Sequence, residues 1–176
     1  PPLPSPSPPP PKPPCATPID FALVLDESGS MKNDIEGPGG LKAFAKELVN
    51  RYFLGADAAR FSVVSFAENA TTRVPWSYDA AVINAGIDQI SADGPTSISD
   101  GFEAAQQLFT DGGRAGATKI VLLLSDGEQT VDAAPGKTAT QTAIDAAALV
   151  KGQGEIASRS SRRNRLVSLP GAAQRA

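Results

Sequence analysis

The chain has 176 residues, enough for one domain with a sizeable core, and a formal net charge of −3. It contains no histidine, which removes the commonest general base and the commonest transition-metal ligand. No stretch approaches the roughly 18 apolar residues that a membrane-spanning helix needs, so no span is expected.

The charge is unevenly spread. Residues 1–154 carry 18 acidic and 11 basic side chains, whereas residues 155–176 carry five arginines and one glutamate. An acidic body argues against nucleic acid as the main partner. The chain begins with Pro1 rather than Met, so it reads as a fragment or a processed form.

Residues 1–17 form a proline-rich linker, with Ser5, Ser7 and Lys12 interspersed among the prolines. Proline has no amide donor and a fixed φ, so an extended, solvated polyproline II rod is expected. Such a rod serves as a semi-rigid spacer or, less simply, as a docking site for a proline-reading domain. Cys15, the only cysteine, lies near the end of this linker, between the proline run and the first strand, and is either a thiol awaiting a partner or an unpaired one.

Phe21-Ala22-Leu23-Val24-Leu25 then ends abruptly in Asp26-Glu27-Ser28-Gly29-Ser30-Met31. Five apolar residues without alternation suit a strand buried on both faces, as in the middle of a parallel sheet. Ligands bind at the carboxyl ends of such strands. Asp26, Ser28 and Ser30 alternate, so an extended turn can converge them into an all-oxygen set suited to Mg2+ or Mn2+. Ser-Gly-Ser also makes an ordinary polar turn.

Leu41, Phe44, Ala45, Leu48, Val49 and Tyr52 recur as one helical stripe. Phe61–Phe66 reads as a strand and Thr71–Val74 as a short one joined to it in a hairpin, ended by Pro75. A helix is expected over Asp79–Ile90 and another from Ile98, capped by Ser97 or Ser99 and closed at Gly112-Gly113. Lys119–Leu124 repeats the logic of the first strand and delivers Ser125-Asp126-Gly127-Glu128 at its end. Thr138–Lys151 is an alanine-rich helix whose expected core stripe is Ile144, Ala148 and Leu149. Alternation of strand and helix with long connections argues for an α/β fold, doubly wound, with a mostly parallel sheet and helices on both faces.

Asp26-x-Ser28-x-Ser30, then Thr96 in Gly-Pro-Thr-Ser, then Asp126 in Leu-Leu-Ser-Asp-Gly, together resemble the metal ion-dependent adhesion site of von Willebrand factor type A domains. The spacings of 70 and 30 residues fit as well, and the resemblance covers about residues 18–153. It implies a Rossmann-like fold with the first strand central. It also implies that Ser28 and Ser30 bind the cation directly, that Thr96 joins or leaves the shell, and that Asp26 and Asp126 supply negative charge. Neutral hydroxyls leave part of the charge of a six-coordinate Mg2+ uncompensated, so an Asp or Glu carboxylate from a protein partner is the natural last ligand. Glu128 and Asp132 stand near the same rim and either tune that partner or are solvated loop acids. Glu27 is expected to point away as a solvated or loop-bonded acid.

The segment 1–14 resembles the hydroxyproline-rich glycoproteins of plant and green-algal cell walls, which implies an extracellular, wall or matrix setting. After residue 153 the family pattern offers further strands, but the Arg/Ser-rich segment 154–176 shows no apolar run and reads as a disordered tail. The last strands are therefore expected to be missing, leaving the strand at Ile120–Leu124 with an open, aggregation-prone edge and the chain marginally stable.

Three functions compete. The first is a non-catalytic, divalent-metal-dependent protein-binding module. The second is a Mg2+-dependent phosphohydrolase resembling the haloacid dehalogenases, with Asp26 as nucleophile and Asp126 as metal ligand; that family usually has a second aspartate where this chain has Ser28. The third is a structural wall or matrix glycoprotein with a vestigial site. The sequence leaves the oligomeric state open.

Overall fold

A computed structural model describes residues 17–152, 154–160 and 165–168, the last two stretches as main chain. The expected proline rod, Cys15 and residues 169–176 lie outside the described residues. Six strands form one sheet: β1 (Ile19–Asp26), β2 (Ala59–Phe66), β3 (Ala70–Ser77), β4 (Thr118–Ser125), β5 (Glu155–Ser160) and β6 (Arg165–Ser168). Four helices flank them: α1 (Leu41–Asn50), α2 (Ala80–Asp88), α3 (Ile98–Gly112) and α4 (Ala139–Lys151), with a short 3-10 helix at Gly29–Asn33. The strand order is β3-β2-β1-β4-β5-β6, the order of a doubly wound sheet.

β1 is central because its side chains can be buried on both faces, as the unbroken apolar run requires. It pairs in parallel with β2 on one side and β4 on the other. Phe21, Leu23 and Leu25 point to one face and join Phe61, Val63, Leu122 and Leu124 under α1 and α2. Ala22 and Val24 point to the other and join Val64, Phe66 and Val121 under α3 and α4. Each buried Val, Leu or Phe side chain among them contributes about 1.5–3 kcal/mol of burial.

Gly101, in the first turns of α3, lets that helix sit on the sheet. A Cβ there would lie 2.8 Å from Val24 Cγ1 and 2.9 Å from Phe66 Cδ1. Gly101→Ala is therefore expected to destabilise: overpacking costs about 1–3 kcal/mol and outweighs a helix-propensity gain of about 1 kcal/mol. Chemical denaturation should show a lower midpoint; an unchanged or raised one would mean that the helix can lift away freely.

Three expectations are corrected. The last strands are present in the sheet: β5 pairs in parallel with β4 from Ile120↔Glu155 to Ser125↔Ser160, and β6 returns antiparallel to β5. Strand pairing uses main-chain amides and carbonyls, so it does not need the apolar run on which the sequence criterion rested. The edge of β4 is thereby covered, which removes the argument for marginal stability.

Next, β3 continues past Pro75 to Ser77. β3 is an edge strand, and its pairing with β2 shifts register between Val63↔Val74 and Phe61↔Ser77, so Pro75 falls in an irregular stretch where no ladder amide is required. Finally, α4 buries Ala146 and Val150, while Ile144 and Leu149 are exposed. The face built from Ala143, Ala146, Ala147 and Val150 lies against α3 and the sheet, where alanine allows close approach, while Ile144, Ala148 and Leu149 face outward.

No helix among the described residues is long and apolar enough to cross a membrane.

Candidate functional site

β1 and β4 are neighbours, and the chain leaves them toward opposite faces of the sheet, so their carboxyl ends flank the crevice where the winding reverses. The β1 end delivers Asp26, Ser28 and Ser30; the β4 end delivers Ser125 and Asp126. Asp26 is fully buried. Its Oδ1 accepts from the Ser28 amide at 2.8 Å, which folds the turn back on the strand, and its Oδ2 accepts from Ser125 Oγ at 2.6 Å, which ties β1 to β4. Burial holds the Asp26 carboxyl above the usual carboxylate range. Hydrogen bonds from Ser125 and Ser28 oppose that rise, and the charge of Asp126 adds to it.

The hydroxyls form a chain. Ser28 Oγ lies 3.1 Å from Ser30 Oγ, and Ser30 Oγ donates to Asp126 Oδ1 at 2.9 Å. Ser28 and Asp126 are buried and Ser30 between them is exposed, so the chain reaches the surface at its middle member. A hard cation with bonds of about 2.05 Å requires adjacent octahedral oxygens about 2.9 Å apart. The Ser28–Ser30 and Ser30–Asp126 gaps are close to that spacing, and hydroxyl and carboxylate oxygens are of the donor type such a cation takes. Among the described residues no three His, Cys, Asp or Glu side chains gather to hold a metal. A cation site here would depend on hydroxyls.

Thr96 is brought to the same end by its loop. Gly94 adopts φ +76°, and its carbonyl accepts from the Gly29 amide at 2.9 Å, so the Thr96 loop is joined to the serine turn. Thr96 itself is nearly buried, and its amide and carbonyl are held by Thr130. Ser97 occupies the N-cap position of α3, but its hydroxyl bonds Asp100 and Ser99 rather than a main-chain amide. Gln129 Oε1 instead accepts from the Ser99 amide, at 2.8 Å.

Glu27 is corrected from the solvated reading. It is 8% exposed and accepts from Ser65 Oγ at 2.8 Å and from Arg73 NH2 at 2.7 and 3.0 Å. Its carbonyl accepts from the Asp93 amide, so this side of the turn also braces the Thr96 loop. The alternation that aims Asp26 and Ser28 one way aims Glu27 at β3, where an arginine compensates its burial. Glu128 and Asp132 are exposed on the β4–α4 loop, and Asp132 stands at φ 59°.

Sequence reading missed a second cluster, at the opposite end of β1. Asp20 is fully buried, and its carboxylate is gripped bidentately by Arg60 at 2.8 and 2.9 Å and by Arg114 through Nε at 2.7 Å and its amide at 2.8 Å. Burial pushes Asp20 up, but the hydrogen bonds from Arg60 and Arg114 outweigh it, and its carboxyl lies below the usual range. The signal was a register: Asp20-Phe21 and Arg60-Phe61 are the same dipeptide position on adjacent strands.

Residues 21–129 match the family described as von Willebrand factor type A domain. A protein of Mycolicibacterium paratuberculosis described as UPF0353 protein is 34% identical over 142 residues, covering 75% of this chain and 41% of its own length. The chain thus spans about two-fifths of that relative. Among solved structures, proximal thread matrix protein 1 from the mussel byssus is 29% identical with TM-score 0.63, covering 82% of this chain and 36% of that one. Manganese-loaded TRAP protein of Plasmodium vivax superposes with TM-score 0.66 at 18% identity, covering 82% of this chain and 57% of that one, a likeness of fold. With a family match over more than half its length on a doubly wound sheet, this chain belongs to the von Willebrand factor type A domain family.

Proposed function

We propose that this domain is a non-catalytic protein-binding module whose ligand is captured through a divalent cation, Mg2+ or Mn2+, at the end of β1 and β4. Ser28, Ser30 and Asp126 are the direct donors, and Thr96 is a fourth that enters or leaves with the state of the site. Asp26, fully buried, acts from behind by orienting the Ser28 amide and Ser125 and by adding negative charge. The observation that carries this reading is the oxygen chain Ser28–Ser30–Asp126, with gaps of 3.1 and 2.9 Å.

Bound there, the cation supplies a Lewis-acidic position for an Asp or Glu carboxylate of the partner. The residues around it have no evident base for hydrolysis. The sequence lacks histidine, and both oxygens of Asp26 are committed to internal hydrogen bonds, which argues against its use as the nucleophile of a phosphohydrolase. A setting outside the cell, in a wall or matrix, is supported by the relative named as a byssal matrix protein.

Calorimetric titration with MgCl2 and MnCl2 tests the reading. Saturable one-site binding is expected, and Ser30→Ala, which removes the middle oxygen of the chain, should weaken it at least tenfold, the lower end of what displacing supporting groups costs at metal sites. No saturable binding of either ion would overturn it.

A further inference from the structure

We propose that Thr130 is a positioning residue for the cation site, acting through Thr96 without touching the cation; the inference rests on the metal-dependent reading above. Thr96 and Thr130 are 34 residues apart, yet both main-chain groups of Thr96 are bonded to Thr130, one through its hydroxyl and one through its amide. The Thr96 amide donates to Thr130 Oγ1 at 3.0 Å, and the Thr96 carbonyl accepts from the amides of Thr130 at 2.8 Å and Val131 at 3.4 Å. Both free main-chain groups of Thr96 thus end on the loop that begins at Asp126.

Thr130 can act as an anchor because the residue before it is fixed. Gln129 is 6% exposed, and all of its amide is used: Oε1 on the Ser99 amide, and Nε2 on Ser99 Oγ at 2.9 Å and on the carbonyls of Val131 and Asp132 at 2.9 and 3.3 Å. This locks the β4–α4 loop to the first turn of α3. On its other flank the Thr96 loop is held by Gly94 to Gly29 and by the Ser97 amide to the Ala67 carbonyl at 2.7 Å.

Between these braces a side-chain hydrogen bond to the Thr96 amide comes from Thr130. The arrangement couples the strand end that supplies Asp126 to the loop that supplies Thr96, so the two donors are set relative to each other by a group that is not itself a donor. Thr130 is exposed, so its own burial contributes little to the core.

The test compares Mg2+ and Mn2+ affinity, by titration calorimetry, in the wild type, Thr130→Val and Thr130→Ser. Valine keeps the β-branch and volume and deletes the acceptor; serine keeps the acceptor. Thr130→Val is expected to bind about tenfold more weakly, as displaced supporting groups do at metal sites, while Thr130→Ser stays within about twofold of the wild type. Amide exchange at Thr96 should accelerate in the valine variant only. Wild-type affinity in Thr130→Val, or equal loss in Thr130→Ser, overturns the role of Thr130 and leaves the cation site standing. A wild type that binds neither ion overturns the metal reading and this inference with it.

Discussion

Asp20→Ala is expected to cost the fold about 3–5 kcal/mol, the range for removing one partner from a buried ion pair. The carboxylate is fully buried and accepts four hydrogen bonds from Arg60 and Arg114. Those arginines are fixed by other contacts and cannot swing out to water without losing them. Arg60 sits 4.5 Å over the Trp76 ring and donates to the Gly112 carbonyl. Arg114 donates to the carbonyls of Ile19, Ala58 and Ala56. Without Asp20 two guanidinium groups face each other with no counter-charge, at the point where β1, β2, the end of α3 and the loop before β2 meet. For a domain of ordinary stability, about 5–15 kcal/mol, the loss is a large fraction of the total.

The same cluster sets a pH dependence. Asp20 has a folded value below its unfolded value of 3.8. Its contribution is therefore complete above the unfolded value and is lost as pH falls through the folded one. Urea midpoints measured from neutral pH down to the acid limit should fall in the wild type below about pH 4 and fall less in Asp20→Ala. Parallel curves for the two proteins would mean that Asp20 is not the group whose protonation is felt.

What could be read in advance follows from what one segment can reveal. β1 and β4 were legible because burial on both faces forces an unbroken apolar run, and the polar residues at their ends are contiguous with it. α1 was legible because Leu41, Ala45 and Val49 bury one face of a helix whose other face is charged. α4 was not. Its sequence offers apolar residues all round, and which face turns inward depends on how closely α3 approaches, a property of the pair rather than of either helix. β5 was not legible because an edge-side strand can be recruited by the open ladder of β4 alone.

The candidate site divides in the same way. Asp26, Ser28 and Ser30 are local, and Asp126 ends a strand of the same type, so all four could be proposed from pattern. Glu27, Gln129 and Thr130 could not, because their roles exist only through residues such as Arg73, Ser99 and Thr96 that other elements deliver. Asp20 and Arg60 lie between. Each is a charge one position before a phenylalanine in an apolar strand, and only their equal register turns two oddities into a pair.

Asp26→Asn is expected to raise thermal stability in chelator and lower it in saturating Mg2+, a reversal of order with the wild type. Asp26 is fully buried, and burial, aided by the nearby charge of Asp126, lifts its carboxyl above the unfolded value of 3.8 despite hydrogen bonds from Ser125 and Ser28. A folded value above the unfolded one means that ionisation works against folding. The stabilisation belongs to the protonated form, is complete below the unfolded value, and is lost as pH rises through the folded value. At pH 7 without a cation the carboxylate is thus a net cost, and an isosteric amide removes it. The amide carbonyl still accepts from the Ser28 amide, and Ser125 Oγ can accept from the new Nδ2 in place of donating. With a cation the balance inverts: at a hundredfold excess over Kd, binding stabilises the wild type by about 2.7 kcal/mol, and the amide variant lacks the charge that draws the ion in. Melting curves of both proteins in EDTA and in MgCl2 decide it. The lead of the variant in EDTA should shrink as pH falls and Asp26 protonates, a difference that is separate from the acid loss at Asp20 because Asp20 is common to both proteins. A variant that melts below the wild type in EDTA would mean that the carboxylate is structural, and one that keeps the full Mg2+ shift would mean that the cation, if bound, owes nothing to Asp26.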